Sequence, residues 1–143
     1  MSTQQTHQIP GALWRSILGR ESLELFAAAF VRDPVLLASV AKGPVHGVSA
    51  IRVFFKAAAS IYETIAFTTE TSVAQRTFLE WKGSALGGKT IEGFTLIAHD
   101  AAGLIERIEL YHRPLAIVVA FASELERRLV ESAGVILFAD AIE

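Results

Sequence analysis

The chain has 143 residues, of which 52% are hydrophobic and 20% charged, and its formal net charge at pH 7 is −2. This length fits a single domain, and the apolar composition predicts a well-filled core with apolar surface left for a ligand or a partner. The slightly negative charge provides no basic surface for nucleic acid. The absence of cysteine excludes disulfides, thiolate nucleophiles and iron–sulfur clusters.

The N-terminal segment, MSTQQTHQIP, is polar and lacks the apolar core of a signal peptide. We therefore predict a disordered leader over residues 1–9 and one α+β domain over residues 10–143. The longest apolar run, Pro114 to Ala122, is far shorter than the ~20 residues that cross a bilayer. These features predict a cytoplasmic protein without a membrane anchor.

The first half of the chain is predicted to be mainly helical. GALWRSILG has apolar residues at helical spacing, and Ser22 can cap a second helix, SLELFAAAFV, that stops at Asp33-Pro34. VLLASV indicates a short buried strand. VSAIRVFFKAAASIYE then predicts an amphipathic helix with one polar and one apolar stripe.

The second half changes to the period-two pattern of strands. The predicted strands are TIAFTTETS, QRTFLEWKGSALG, KTIEGFTLIAH and LIERIELYH, with Gly87-Gly88 as a two-residue hairpin turn. Pro114 opens a last helix, where Glu124 and Arg128 are spaced for an ion pair, and GVILFAD is an added strand or an ordered tail. This order predicts an α+β fold in which a curved antiparallel sheet and helices enclose a pocket.

Two segments, GVSAIRVFF and HDAAGLIERIELYHRP, resemble signatures of the nuclear transport factor 2-like proteins, including the SnoaL-like polyketide cyclases. The resemblance implies a cone-shaped curved antiparallel sheet wrapped around helices, with an internal pocket. It also implies a homodimer formed through the outer face of the sheet. Members include isomerases, hydrolases, dehydratases, cyclases and non-catalytic binding modules, so the fold does not assign an activity.

The resemblance also marks pocket positions. The Tyr, Asp and Asp of ketosteroid isomerases correspond here to Trp14, Ala38 and Thr95, which cannot take a proton from carbon. Of the acidic residues that act in limonene epoxide hydrolases, only one acid is retained, as Glu80. The residues predicted to contact a ligand are Trp14, Ser39, His46, Phe54, Phe78, Thr95, His99 and Leu110.

Glu80 is the predicted catalytic residue. It shares one face of its strand with Phe78 and Lys82. A carboxylate in an apolar pocket has a raised pKa and can act as an acid or a base near neutral pH. The alternative is a structural carboxylate neutralised by Lys82, Arg76 or a histidine, because structural ion pairs also perturb pKa values.

The histidines support no metal site in the sequence. A lone histidine is more often a hydrogen-bonded structural residue than a catalyst, which is the preferred interpretation of His46, His99 and His112. The spacing of histidines and acids matches no metal-ligand motif such as HExxH. We therefore expect no metal, and no cofactor is implied.

If Phe78 and Glu80 face inward, then Leu79, Trp81 and Tyr111 face outward, and such an apolar sheet face predicts a homodimer. The leading hypothesis is a dimeric protein that binds a small apolar organic molecule, with isomerase, cyclase or hydrolase chemistry at Glu80. The other hypothesis is a non-catalytic ligand-binding or dimerisation module of the same fold.

Overall fold

The computed structural model describes residues 9–133. Most of the predicted leader and the whole predicted C-terminal segment GVILFAD lie outside this range. The helices are α1 (Ala12–Leu18), α2 (Leu23–Ala27), α3 (Val48–Ala59) and α4 (Leu115–Ala133). The strands are β1 (Phe30–Ala38), β2 (Val45–His46), β3 (Tyr62–Val73), β4 (Arg76–Ala85), β5 (Lys89–His99) and β6 (Ile105–Arg113).

The second helix is much shorter than predicted. Ser22 caps it as expected, because its Oγ accepts the N–H of Leu25 at 3.0 Å. The helix nevertheless ends at Ala27, and Phe30 begins strand β1, whose Phe30 pairs with Ile105 of β6. Pairing with a strand distant in sequence therefore overrides the local helical pattern. Sequence periodicity does not reveal such long-range pairing.

The strands form one curved, open sheet in the order β2-β1-β6-β5-β4-β3. The α+β class is confirmed, and every neighbouring pair is antiparallel except β1 and β6, which run parallel. The predicted curved antiparallel sheet is confirmed, and this parallel pair is an addition that the sequence did not indicate. Only strands joined by short hairpins must be antiparallel, and helix α3 and four strands separate β1 from β6 along the chain.

The two faces of β4 are the reverse of the prediction. Leu79 and Trp81 are 1% and 3% exposed and lie on the concave face that the helices cover, whereas Glu80 is exposed on the convex face. Phe78 shares the convex face and Tyr111 is 44% exposed. Of the three residues predicted to face outward, only Tyr111 does so.

The β4–β5 hairpin turn is one residue longer than predicted. Ala85 pairs with Lys89, so three residues form the loop. Leu86, Gly87 and Gly88 have φ angles of 55°, 84° and 82°. Two successive glycines fit here because positive φ angles strain residues that carry a Cβ.

Helix α4 packs against α3 and the end of the sheet. Its buried residues recur every four positions, and Phe121 lies 4.9 Å from the Tyr62 ring between centroids. Arg128 donates to the carbonyl oxygen of Ser60 at 2.8 Å and to Glu124 at 2.6 Å, the spacing predicted for the ion pair. Within residues 9–133, no helix combines the length and hydropathy needed to cross a bilayer.

Glycines on the concave face allow the sheet to bend. Gly93 of β5 lies between Trp81 and His112 in the strand register. A Cβ at Gly93 would lie 1.8 Å from the carbonyl oxygen of Tyr111, and one at Gly83 would lie 2.2 Å from that of Thr64. Neighbouring strands therefore approach where a side chain would otherwise stand, which is a recurrent use of glycine in bent strands.

Replacing Gly93 by alanine should lower the free energy of unfolding by roughly 3 kcal/mol, the upper end of the usual cost of overpacking. Urea unfolding of the purified variant measures this change. Gly88→Ala is the control, because its Cβ would meet open space and only the positive φ would cost about 1 kcal/mol. Equal losses in the two variants would contradict the proposed role of Gly93.

Candidate ligand-binding site

A cavity of about 400 Å³ lies between helices α1 and α3, strand β3 and the concave face of the sheet. Its wall is mainly apolar and aromatic, with a few polar side chains. The lining residues include Trp14, Arg15, Leu18, Phe55, Tyr62, Glu63, Phe67, Trp81, Thr95 and Leu110. This combination is typical of sites for small organic molecules.

Helix α1 is held against β3 at both of its ends. The N–H of Gly11 donates to the Glu70 carboxylate at 2.9 Å. Arg15 donates from Nη2 to the carbonyl oxygen of Ile65 at 2.9 Å, and its guanidinium lies 5.0 Å from the centre of the Phe67 ring. These contacts fix the helical wall of the cavity next to the β3 wall.

Glu63 is the carboxylate among the lining residues, and its oxygens are already engaged. Oε2 accepts the N–H of Gly87 and Oε1 accepts the N–H of Gly88, both at 2.9 Å. By accepting two backbone N–H groups, this carboxylate caps the β4–β5 turn. Glu63 therefore acts as a structural residue at the edge of the cavity.

Thr95 contributes a hydroxyl to the cavity wall. The residue is 2% exposed and is the buried polar residue of the core. Its side chain has no hydrogen bond to any residue in the range 9–133, yet no fully enclosed polar side-chain atom in that range lacks a partner. Thr95 is therefore a hydroxyl-bearing residue of the cavity wall.

Tyr62 belongs to a hydrogen-bonded group that extends behind the cavity. Its hydroxyl lies 3.1 Å from Nε2 of His112, and Nδ1 of His112 lies 2.8 Å from Oγ of Ser39. The same Oγ accepts the backbone N–H of His112 at 3.0 Å. The rings of Trp81 and Phe121 lie 5.3 and 5.9 Å from the imidazole between centroids and surround it with apolar surface.

Burial keeps this group neutral at physiological pH. It lowers the pKa of His112 from 6.5 to about 4 and raises the pKa of Tyr62 above its ordinary value of 10.0. The charged form of each group loses hydration that the apolar surroundings do not replace. A neutral imidazole and a neutral phenol can each donate and accept one hydrogen bond in this chain.

Three of the eight residues predicted to contact a ligand line this cavity: Trp14, Thr95 and Leu110. Ser39 lies behind it and bonds to His112. The other four do not line the cavity. Phe54 is fully buried in the core, Phe78 lies on the convex face, His46 is exposed in β2, and His99 bonds to the Gly103 carbonyl oxygen at 3.2 Å and lies 3.4 Å from Oγ1 of Thr77.

Glu80 does not meet the requirement of the predicted catalytic role. That role required a carboxylate inside an apolar pocket, whereas Glu80 is exposed on the opposite face of the sheet. It flanks a surface depression with Lys82, Phe94 and Arg113. The prediction assigned Glu80 to the wrong face of the sheet, although the alternation of side chains along β4 was predicted correctly.

Several cavity residues were missed by the sequence analysis. Arg15 was not considered. The aromatic residues of the wall were interpreted as core or as outward-facing residues, or were not singled out; they are Phe55, Tyr62, Phe67 and Trp81. The cross-strand register contains the signal that was needed, because Thr95 pairs with Leu79 and Leu79 must therefore share its inward orientation. Among residues 9–133, no three His, Asp or Glu side chains cluster closely enough to hold a metal ion.

The His112 pKa predicts a pH-dependent stability. Between pH 6.5 and about 4 the unfolded chain holds more protons at this histidine than the folded chain does, so the free energy of unfolding rises with pH across this window. The full contribution is roughly 3 kcal/mol and is lost as the pH falls. Urea unfolding at several pH values should show a steeper rise for the parent than for His112→Gln.

His46→Gln is the matched control, because His46 is exposed and its replacement should leave the parental slope unchanged. Equal slopes for the parent and His112→Gln would show that the imidazole is not held neutral by burial.

Comparisons with known proteins establish the fold. No family model matches the sequence, and no curated protein is significantly similar to it. A steroid delta-isomerase from Pseudomonas aeruginosa has a similar structure, with a TM-score of 0.75 and 22% identity over 87% of this chain and 91% of that chain. An uncharacterised Silicibacter pomeroyi protein with a cystatin-like fold gives a TM-score of 0.74 and 16% identity, covering 89% of this chain and 87% of that chain.

A third similar structure is a Jannaschia protein named for the SnoaL-like polyketide cyclases, with a TM-score of 0.56, 10% identity and coverage of 75% of this chain and 83% of that chain. At these identities the similarity concerns the fold alone. The curved six-stranded sheet, the helices on its concave face and these similarities agree with the resemblance in the sequence. The chain has the nuclear transport factor 2-like fold that ketosteroid isomerase-like and SnoaL-like proteins share.

Proposed function

We propose that the protein binds a small, largely apolar organic molecule that carries an oxygen atom, in the cavity between α1, α3 and the sheet. The observation that carries this proposal is a mainly aromatic wall that includes two hydroxyl-bearing residues, Tyr62 and Thr95. A cavity of about 150 Å³ holds one benzene molecule. A cavity of about 400 Å³ therefore has room for a molecule with two fused rings.

Binding is a better match to these side chains than proton abstraction from carbon. The lining carboxylate, Glu63, is bound to the backbone of the β4–β5 turn. Tyr62 remains protonated because burial raises its pKa, so it acts as a hydrogen-bond donor or acceptor. Thr95 adds a second hydroxyl to the same wall.

Chemical conversion of the bound molecule is a second candidate function. The similarity to a steroid delta-isomerase and to a protein named as a polyketide cyclase favours it. A hydroxyl such as that of Tyr62 can stabilise negative charge developing on a substrate oxygen. Recovery of every bound compound unchanged after prolonged incubation would support the binding function alone.

We also propose that the convex face of the sheet forms a homodimer. The rings of Phe94 and Tyr111 stack there at 4.7 Å between centroids, with 39% and 44% of these residues exposed. Phe78 and Leu96 continue the patch across β4 and β5. Flanking ion pairs, such as Arg113 with Glu92 at 2.6 Å, provide the polar rim typical of an interface.

Leu18→Trp should weaken the binding of 2-acetylnaphthalene at least about tenfold, a loss of roughly 1.4 kcal/mol, because the larger ring occupies the cavity that Leu18 lines. Isothermal titration calorimetry gives both dissociation constants. Leu13→Trp is the control, since Leu13 lies on the same helix and is 67% exposed. The proposal is wrong if the parent does not bind the probe or if Leu18→Trp binds it equally well.

Phe94→Lys should convert the dimer to a monomer, because it places a charge at the centre of the apolar patch. Sedimentation velocity at micromolar concentration measures the mass. Val119→Lys is the control, because Val119 is 61% exposed on α4 and lies away from this face. A monomeric parent, or dissociation by Val119→Lys instead, would refute the sheet-face dimer.

A further inference from the structure

Ser39, His112 and Tyr62 join the end of β1, strand β6 and the start of β3 through hydrogen bonds. Only Tyr62 of the three lines the cavity. These hydrogen bonds therefore connect a residue of the cavity wall to an exposed serine through a neutral imidazole. None of the charged residues in the described range bonds to any of the three side chains.

The hydrogen bonds that Ser39 makes determine which atom donates and which accepts along this relay. Ser39 Oγ already accepts the backbone N–H of His112. Its own proton then has an acceptor 2.8 Å away in Nδ1 of the same residue. With Nδ1 accepting, the imidazole proton lies on Nε2 and is donated to the Tyr62 oxygen at 3.1 Å. The Tyr62 proton is then free to point elsewhere.

The opposite direction of donation leaves the three side chains with fewer hydrogen-bond partners. If Nδ1 carried the proton, two donors of His112 would converge on Ser39 Oγ, and the serine proton would have no partner within residues 9–133. The Tyr62 hydroxyl would then donate its proton to Nε2 of His112, and Tyr62 would have no donor left for a ligand in the cavity. In the first arrangement every proton of the three side chains has an acceptor once a ligand oxygen is present, and the partly buried His112 and Tyr62 are both hydrogen-bonded, as buried polar groups usually are.

We propose that Ser39 and His112 are positioning residues that orient the Tyr62 hydroxyl proton into the cavity, so that the site selects ligands with a hydrogen-bond acceptor such as a carbonyl oxygen. This inference rests on the proposed binding function for its ligand, but the state of the relay is a property of the free protein. Thr95 fits the same selection, because it is a buried hydroxyl-bearing residue of the same cavity wall.

The imidazole tautomer tests the relay without any ligand. Long-range ¹H–¹⁵N correlation spectra of protein labelled with ¹⁵N-histidine report which ring nitrogen carries the proton, and His112→Gln identifies the His112 signals. We expect the proton on Nε2 at neutral pH. We also expect Ser39→Ala to shift protonation towards Nδ1, whereas Ser16→Ala, at an exposed serine of α1, leaves the spectrum unchanged. A parent with the proton on Nδ1, or no response to Ser39→Ala, overturns the proposal.

Two probes of the same shape test the consequence for binding. 2-Acetylnaphthalene has a carbonyl oxygen where 2-isopropenylnaphthalene has a CH₂ group. The parent should prefer the ketone about three- to tenfold, the usual net value of one hydrogen bond. Tyr62→Phe should abolish the preference. His112→Phe and Ser39→Ala should reduce it without changing the affinity for the hydrocarbon, and His112→Gln should retain it because its amide can still donate to Tyr62.

The outcomes separate the two proposals. If the ketone preference persists in His112→Phe and Ser39→Ala, the relay is wrong while the binding site stands. If neither probe binds the parent, the proposed function fails, and the tautomer measurement still decides the state of the relay.

Discussion

The bend of the sheet at Gly93 is the constraint on which the rest of the molecule depends. Because no side chain stands at this position, the backbone of Tyr111 approaches to a distance that a Cβ would forbid. The rings of Trp81 and His112 can then face each other across β5, 5.3 Å apart between centroids. This approach gives the sheet its concave face and brings β6 within reach of Tyr62 at the start of β3.

Two sets of contacts then cover the concave face of the sheet. They leave an open cavity there and do not fill it with core side chains. Arg15 and Gly11 hold α1 against β3 and so set the position of one wall. Phe121 of α4 packs on Tyr62 and closes the end of the sheet over the imidazole of His112. The charged residues of the wall, Arg15 and Glu63, bond to backbone groups, and Tyr62 and Thr95 add hydroxyls, which supports the proposal of a neutral oxygen-bearing ligand.

The elements were largely readable from the sequence because their signals are local. The period-two pattern and flanking turns gave the bounds of β5 correctly, and Ser22 caps α2 as its residue type predicts. The pocket positions Trp14, Thr95 and Leu110 were also identified. Local signals gave the wrong prediction where pairing with a distant strand determines the structure. Phe30 lies in a helical sequence pattern but pairs with Ile105 of β6.

What the sequence determined by itself is the set of elements, the alternation along each strand and the apolar character of the interior. The tertiary structure alone decided which side of β4 faces that interior. Alternation places Leu79 and Glu80 on opposite faces but does not say which face is concave. The pairing of Leu79 with Thr95 and of Thr95 with Leu110 decides it, because paired residues share a face and a shift of one residue reverses every side chain.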